Sequence, residues 1–279
     1  HGQVRGSGAG RWRPGLAAEV DLRLCNLHPH EFLADWPEGR PLEAALWLGL
    51  DGDWLEIQPL ELSLPGTQGR LILSGRGRLA PKLEQSEFEV VLNWDDLAWP
   101  LAGQPAQGSS RQGRLRLSGR PRDYRLDGQA QIAGERIPPG DWRLQGQGDT
   151  QSFSLTGLDG HLLEGSVRLT GRLGWQPKPS WDLQLSGRDL NPAGLAPQWP
   201  GRLRLETRSR GTLDPKRGAE FELGRLQLDG LVRERPLQLG LEGRWQDQAL
   251  QLETLSLKAG PNKLSARGRL GRDKLAFDW

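Results

Sequence analysis

The residues of this chain that could perform chemistry are few, and the first group to consider is a possible metal site. Cys25, His28, His30 and Glu31 lie within seven residues of one another. A zinc site needs three or four converging Cys, His or carboxylate ligands. No second cluster of such residues follows in the sequence, so we predict a solvated helix start here and no metal site.

The sequence supports nucleophilic catalysis as little as it supports a metal site. The chain contains four His residues and one Cys. No Gly-x-Ser-x-Gly elbow is present. The Asp95-Asp96 pair precedes Leu97-Ala98-Trp99-Pro100 and is interpreted as a cap before a turn. Gly6-Ser7-Gly8-Ala9-Gly10 resembles a phosphate loop in composition alone, because no apolar strand precedes it. We therefore predict no catalytic residue, no cofactor and no enzymatic activity.

The composition of the chain argues against further classes of function. The chain has 279 residues, with 37 basic and 35 acidic side chains and a net charge of +2. The Arg residues alternate with acidic residues and form no block that could follow a phosphate backbone, so nucleic acid is not an expected partner. No run of 18 apolar residues is present to span a membrane. Because the sequence has no Met, not even at position 1, we expect it to be part of a longer protein.

The dominant pattern is alternation of apolar and polar residues, which is typical of β-strands with one apolar face. Leu115-Arg116-Leu117-Ser118-Gly119 is one of many such segments. Asp51-Gly52, Asp127-Gly128 and Asp159-Gly160 have the composition of tight hairpin turns. We predict an all-β fold, an elongated antiparallel meander of about 20 strands with a few very short helices.

The domain prediction has two parts. Residues 1–10 are Gly-rich and are expected to be a linker or the remnant of a tag. Residues 11–279 are expected to form one continuous β-segment with an internal repeat, in which about 8–37 match 171–200 at an offset of 163. The repeat pairs Trp36 with Trp199 and predicts a short helix in each copy, begun by a Pro after a capping residue.

The leucine residues are the feature of the sequence that points to a function. A sheet with a leucine-lined face must either cover that face or curl around it. A curled trough would suit acyl chains, because each CH2 removed from water is worth about 0.8 kcal/mol; a dry sandwich core is the alternative. The residues predicted to line a lipid-binding groove are Leu71, Leu73, Leu115, Leu117, Val167, Leu169, Leu183, Leu185, Leu203, Leu205, Leu226, Leu228, Leu237, Leu239 and Leu241.

Several segments resemble the TamB family, of the AsmA-like superfamily of bridge-like lipid-transfer proteins. They are the Leu-x-Leu-x-Gly strands, Leu190 to Gly201, Asn93 to Pro100, and Tyr124 to Gly171, which includes Pro139-Gly140-Asp141-Trp142. The resemblance covers most of the chain.

The resemblance implies a U-shaped sheet, called a β-taco, with a hydrophobic interior groove. It implies a periplasmic segment of a protein anchored in the inner membrane of a Gram-negative bacterium by an element outside this sequence. The implied function is transport of phospholipid between the inner and outer membranes, in support of outer-membrane biogenesis. The implied alternative is a scaffold that assembles autotransporters and other outer-membrane β-barrels by pairing with their strands. The implied partners are phospholipid acyl chains, the outer-membrane barrel TamA through a region outside this segment, and nascent outer-membrane proteins.

Overall fold

A computed structural model describes residues 3–11, 17–28, 42–63, 69–99, 107–135, 137–214, 218–270 and 275–278. The chain divides into two compact units, residues 1–142 and 143–279. The described residues form 18 strands and two single-turn 3-10 helices, which confirms the all-β prediction.

The first unit is an antiparallel meander in which each strand pairs with the next along the chain. Its strands are β1 (Gln3–Arg11), β2 (Ala17–Leu27), β3 (Leu42–Asp51), β4 (Trp54–Ser63), β5 (Arg70–Arg78), β6 (Glu87–Trp99), β7 (Gly108–Arg120) and β8 (Asp123–Gly134). A 3-10 turn at Leu83–Gln85 lies between β5 and β6. The unit boundary falls inside the next strand, β9 (Gly140–Gly148).

The second unit repeats this arrangement, again with antiparallel pairing between consecutive strands. Its strands are β10 (Ser152–Leu162), β11 (Gly165–Gly174), β12 (Ser180–Leu190), β13 (Gly201–Asp214), β14 (Gly218–Val232), β15 (Arg235–Gln246), β16 (Ala249–Ala259), β17 (Asn262–Leu270) and β18 (Leu275–Asp278). Antiparallel neighbours joined by short turns need no helical crossover, which explains the near absence of helices among the described residues.

The glycine-rich start of the chain differs from its expected linker character. Residues 3–11 form strand β1, which pairs with β2 at every position from Gln3↔Cys25 to Arg11↔Ala17. Strand pairing uses backbone groups, so a strand poor in side chains can still form. Gly6 leaves space that Leu22 needs, because a Cβ on Gly6 would lie 2.7 Å from Leu22 Cδ2.

The predicted hairpin turns are right at one of three places. Gly52 has φ of +63° and lies in the turn between β3 and β4. Asp127-Gly128 and Asp159-Gly160 instead lie inside strands β8 and β10, so those two turn predictions are wrong. A two-residue hairpin turn of the favoured type needs a positive φ at both positions. In the second unit this geometry occurs at pairs without glycine: Leu163-Glu164, Arg233-Glu234 and Asp247-Gln248.

These turns give a prediction about stability. The αL conformation costs an ordinary residue about 1–2 kcal/mol, and Asn and Gly adopt it more easily. Arg233 and Glu234 have φ of +50° and +62°. Replacing them with Asn and Gly should raise the free energy of unfolding by about 1 kcal/mol, measured by urea denaturation. A glycine at Gln238, inside β15, should instead lower stability by about 0.5–1 kcal/mol. Equal effects at the two sites would contradict the turn geometry.

The predicted short helix of the second repeat copy is present as a single 3-10 turn at Pro192–Gly194. Asn191 precedes it, and its side-chain Oδ1 accepts hydrogen bonds from the backbone N–H groups of Ala193 (3.1 Å) and Gly201 (3.2 Å). The equivalent segment of the first copy, residues 29–37, lies outside the described residues, as does Trp36. The repeat therefore stays a prediction over that segment.

Strands β2 and β12 support the repeat where both copies are described. At an offset of 163, the bounds Ala17–Leu27 correspond to Ser180–Leu190, residue for residue. Both strands contain a register shift before their last residue. Asn26 and Asp189, which correspond at this offset, share a φ of +55°. The two copies thus bend the strand at the same position.

Candidate lipid-binding face

Cross-strand pairing places the predicted groove residues of the first unit on one face. Leu73 of β5 pairs with Leu92 of β6, which pairs in turn with Leu115 of β7. Residues directly opposite in an antiparallel pair project to the same side. Leu71 and Leu117 lie two residues along these strands and therefore share the face.

The second unit has a longer row of the same kind. Leu205, Leu228, Leu239 and Leu257 pair in succession across β13, β14, β15 and β16. Parallel to it, Leu226 pairs with Leu241, and Leu241 pairs with Leu255. The strands β11 and β12 continue the face through the pair Leu169↔Leu185.

All fifteen predicted residues therefore lie on one face of their own unit, which we call the leucine face. Leu203 is 9% exposed, and the other fourteen are half-buried. Polar residues between them, such as Arg116, Arg168 and Gln184, are exposed on the opposite face.

Some residues of the leucine face do not follow strict alternation, because β-bulges interrupt it. A bulge adds one residue to a strand, so two apolar residues three positions apart can share a face. Such register shifts separate Ile57 from Leu60, Leu155 from Leu158, and Leu252 from Leu255. An apolar spacing of three between two alternating segments is the sequence signal that would have revealed these residues.

Aromatic residues form one edge of the leucine face in the second unit. The ring centroids of Trp181 and Phe221 are 6.4 Å apart, and those of Phe221 and Trp245 are also 6.4 Å apart. Trp181 lies over Gly211, where a Cβ would be 2.4 Å from Trp181 Cζ2. Its indole N–H donates to Ser209 Oγ at 3.1 Å. The glycine therefore leaves room for the large ring beside the neighbouring strand.

The first unit contains the same arrangement, a tryptophan ring next to a glycine of the adjacent strand, at Trp94. A Cβ on Gly113 would lie 2.0 Å from Trp94 Cζ2, and the indole N–H donates to Ser110 Oγ at 2.8 Å. Trp94 also lines a cavity of about 800 Å³. The other lining residues come from the ends of β6, β7 and β8 and the segments beside them: Leu97, Ala98, Trp99, Gln107, Gly108, Ser109, Ser110, Ile132, Glu135 and Ile137.

The face opposite the leucine residues is ionic. Glu89 of β6 lies between Arg76 of β5, at 2.9 Å, and Arg116 of β7, at 2.6 Å. Hydrogen bonding from Arg76 holds the pKa of Glu89 below its ordinary value. Arg208 lowers the pKa of Asp182 in the same way in the second unit. These exposed pairs keep the carboxylates charged and favour solvation of this face, so apolar material is expected on the leucine face.

Only some of the residues first considered for chemistry fall within the described ranges. Cys25 lies in β2, half-buried, while His30 and Glu31 fall outside the described residues. Among the described residues, no three His, Cys, Asp or Glu side chains come together as metal ligands. Asp95 and Asp96 lie inside β6, which extends to Trp99, so their interpretation as a cap before a turn is wrong. Asp96 instead adopts a φ of +48° within the strand.

These features define a class: an all-β antiparallel meander with one aliphatic face and one ionic face. The model of the family described as TamB, N-terminal domain, matches residues 43–279, and the chain belongs to this family. Membership gives it a general role in outer-membrane assembly and lipid transport, in a protein that spans the cell envelope and has outer-membrane assembly partners. No solved structure matches the chain. Within the part of the chain that the structure describes, no helix is long and apolar enough to cross a membrane.

Proposed function

We propose that the leucine face holds phospholipid acyl chains in the periplasm, as one segment of a path between the inner and outer membranes. In this proposal the segment is a passive conduit and not an enzyme. Direction and energy come from elsewhere in the assembly. Contact with the outer-membrane barrel TamA, through a region outside this segment, belongs to the same proposal.

The observation that supports this function is the half-burial of the leucine face. In a dry sandwich core, inward leucines pack between two sheets and are almost fully buried. Here the described residues include six buried hydrophobic residues, namely Ala44, Phe153, Leu155, Leu203, Val232 and Ala249. No large side chain among the described residues is less than 2% exposed. An aliphatic face that its own unit leaves half open is an unusual feature, and such faces mark binding surfaces.

The chemistry of the face suits acyl chains. Leu, Val and Ile side chains make up most of it, and they offer aliphatic contact without hydrogen bonds, so a hydrocarbon chain that binds along them loses no polar partner. Each CH2 that leaves water is worth about 0.8 kcal/mol, and a long chain therefore gains on the order of 10 kcal/mol before the costs of ordering. Because the contacts are non-directional, a chain can slide from one leucine row to the next.

Lipid extraction tests the proposal. The protein, purified without detergent from a bacterial host, should release phospholipid on organic extraction, at about one molecule or more per chain by mass spectrometry. A soluble β-sandwich domain of similar size, purified in parallel, is the control for carried-over membrane. Lipid at the control level would contradict the conduit. Crosslinks from backbone positions of β-strands to an incoming β-barrel strand, without bound lipid, would instead favour the assembly scaffold.

A further inference from the structure

The cavity at the ends of β6, β7 and β8 differs from the rest of the leucine face, because it combines apolar walls with polar groups. Its walls include two indole rings, Trp94 and Trp99, and two isoleucines, Ile132 and Ile137. Gln107, Ser109 and Ser110 add polar groups. A volume of about 800 Å³ is within the range of small-molecule sites. Such sites are mainly apolar, with a few polar groups that orient the ligand.

The described residues that line the cavity carry charge of one sign, which is negative. Glu135 is the one ionisable side chain among the described lining residues, and it is exposed. No described lining residue is Lys or Arg, although Arg residues are abundant on the ionic face of the same unit. A concave apolar surface next to a carboxylate favours a cation and disfavours an anion.

Backbone hydrogen bonds bring Glu135 and the exposed indole ring of Trp99 to the same edge of the cavity. The N–H of Gln107 donates to the carbonyl of Trp99 at 2.8 Å, and the N–H of Glu135 donates to the carbonyl of Gln107 at 3.0 Å. Trp99 is opposite Gly108, and Gly108 is opposite Gly134, the residue before Glu135. Trp99 and Glu135 therefore lie at the same end of the sheet, two strand spacings of about 4.8 Å apart. Trp99 is 66% exposed, so its ring face is accessible. An ammonium group over such a ring gains a cation–π attraction.

The cavity borders the leucine face of the same unit through Trp94. This residue pairs directly with Leu71 of β5, and the row Leu73, Leu92 and Leu115 is the next one along the strands. An amphiphile whose chain follows these leucines can therefore place its polar end in the cavity without leaving the sheet.

From these observations we propose that the cavity binds the ammonium head group of an amine-bearing phospholipid, with Glu135 and Trp99 contacting the cation. This inference rests on the proposed function, since the leucine face must hold the acyl chains. It adds a preference: amine head groups are selected over anionic glycerol head groups at this point of the path.

The test compares three lysophospholipids with the same acyl chain, below their micelle concentrations, by isothermal titration to the full chain. Lysophosphatidylethanolamine and lysophosphatidylcholine should bind about three- to tenfold more tightly than lysophosphatidylglycerol. Glu135→Gln should remove most of this preference while leaving the affinity for lysophosphatidylglycerol equal or slightly higher. Trp99→Leu, which keeps an apolar wall, should weaken binding of the two amine lipids alone.

Asp127→Asn is the matched control, because Asp127 is an exposed carboxylate of β8 that does not line the cavity. It should leave the preference unchanged. Equal affinities for the three lipids, a preference for the glycerol head group, or a preference that survives Glu135→Gln would overturn the head-group assignment and leave the conduit standing. If none of the three lipids binds, both the assignment and the conduit are wrong.

Discussion

Leu185→Asp is expected to reduce lipid bound to the second unit by tenfold or more, while the protein stays folded. Leu185 of β12 lies on the leucine face, paired with Leu169 and Thr207, and is half-buried. A carboxylate placed among acyl chains loses its hydration at a cost of several kcal/mol, or becomes protonated as its pKa rises. When no lipid is present, the same carboxylate reaches water from the half-open face. The substitution should therefore weaken lipid binding and leave the folded structure intact.

The neighbouring residue provides the control. Ser186 projects to the opposite face of β12, where Arg168 is its partner on β11. Ser186→Asp adds the same charge one residue away, on the ionic face, and should change neither lipid occupancy nor stability by much. Occupancy is measured by lipid extraction and mass spectrometry, and folding by circular dichroism and urea denaturation. Unfolding by Leu185→Asp would support a dry core, and a folded variant with undiminished lipid would refute the conduit at this strand.

The fold could be predicted from the sequence because its main determinant is local. A period of two in apolar residues specifies a strand and its inward face without knowledge of the partner strand. The positions of the turns are harder to predict from the sequence. Asp127-Gly128 has the composition of a turn but lies inside β8 and pairs with Arg116 and Leu115 of β7. Arg233-Glu234, in contrast, forms a turn that its residue types do not favour. There the pairing of long strands on both sides decides the turn position and overrides the preference of the two residues.

The face that carries the candidate site could also be predicted from the sequence. The fifteen residues predicted to line the groove recur at every second position within their strands, so their common face follows from periodicity. Periodicity does not show which residues of different strands are neighbours. The cavity beside Trp94 and the contact of its ring with Gly113 depend on the register between β6 and β7, which brings together residues 19 positions apart. Bulges such as the one between Leu155 and Leu158 hide further residues, because they change the period within a strand.

Gly113→Ala is expected to destabilise the first unit, because the added methyl group would collide with the ring of Trp94. The new Cβ would lie 2.0 Å from Trp94 Cζ2 and 2.1 Å from Cε2, far inside van der Waals contact. The ring cannot move away freely, because its N–H is bonded to Ser110 Oγ. Overpacking of this kind costs about 1–3 kcal/mol, so the free energy of unfolding should fall by that amount. The fluorescence of the displaced indole should change as well.

A control and a compensating change make this prediction specific to the contact. Gly108→Ala, on the same strand, should be nearly neutral, because its Cβ would meet a single atom at an ordinary distance, Ala133 O at 3.8 Å. Trp94→Leu removes the ring and should make Gly113→Ala tolerable. A double-mutant cycle over these two positions, measured by urea denaturation, should therefore give a coupling energy of about 1–3 kcal/mol. Additive effects would show that the indole of Trp94 does not lie against Gly113, and the wall of the cavity would then have to be placed elsewhere.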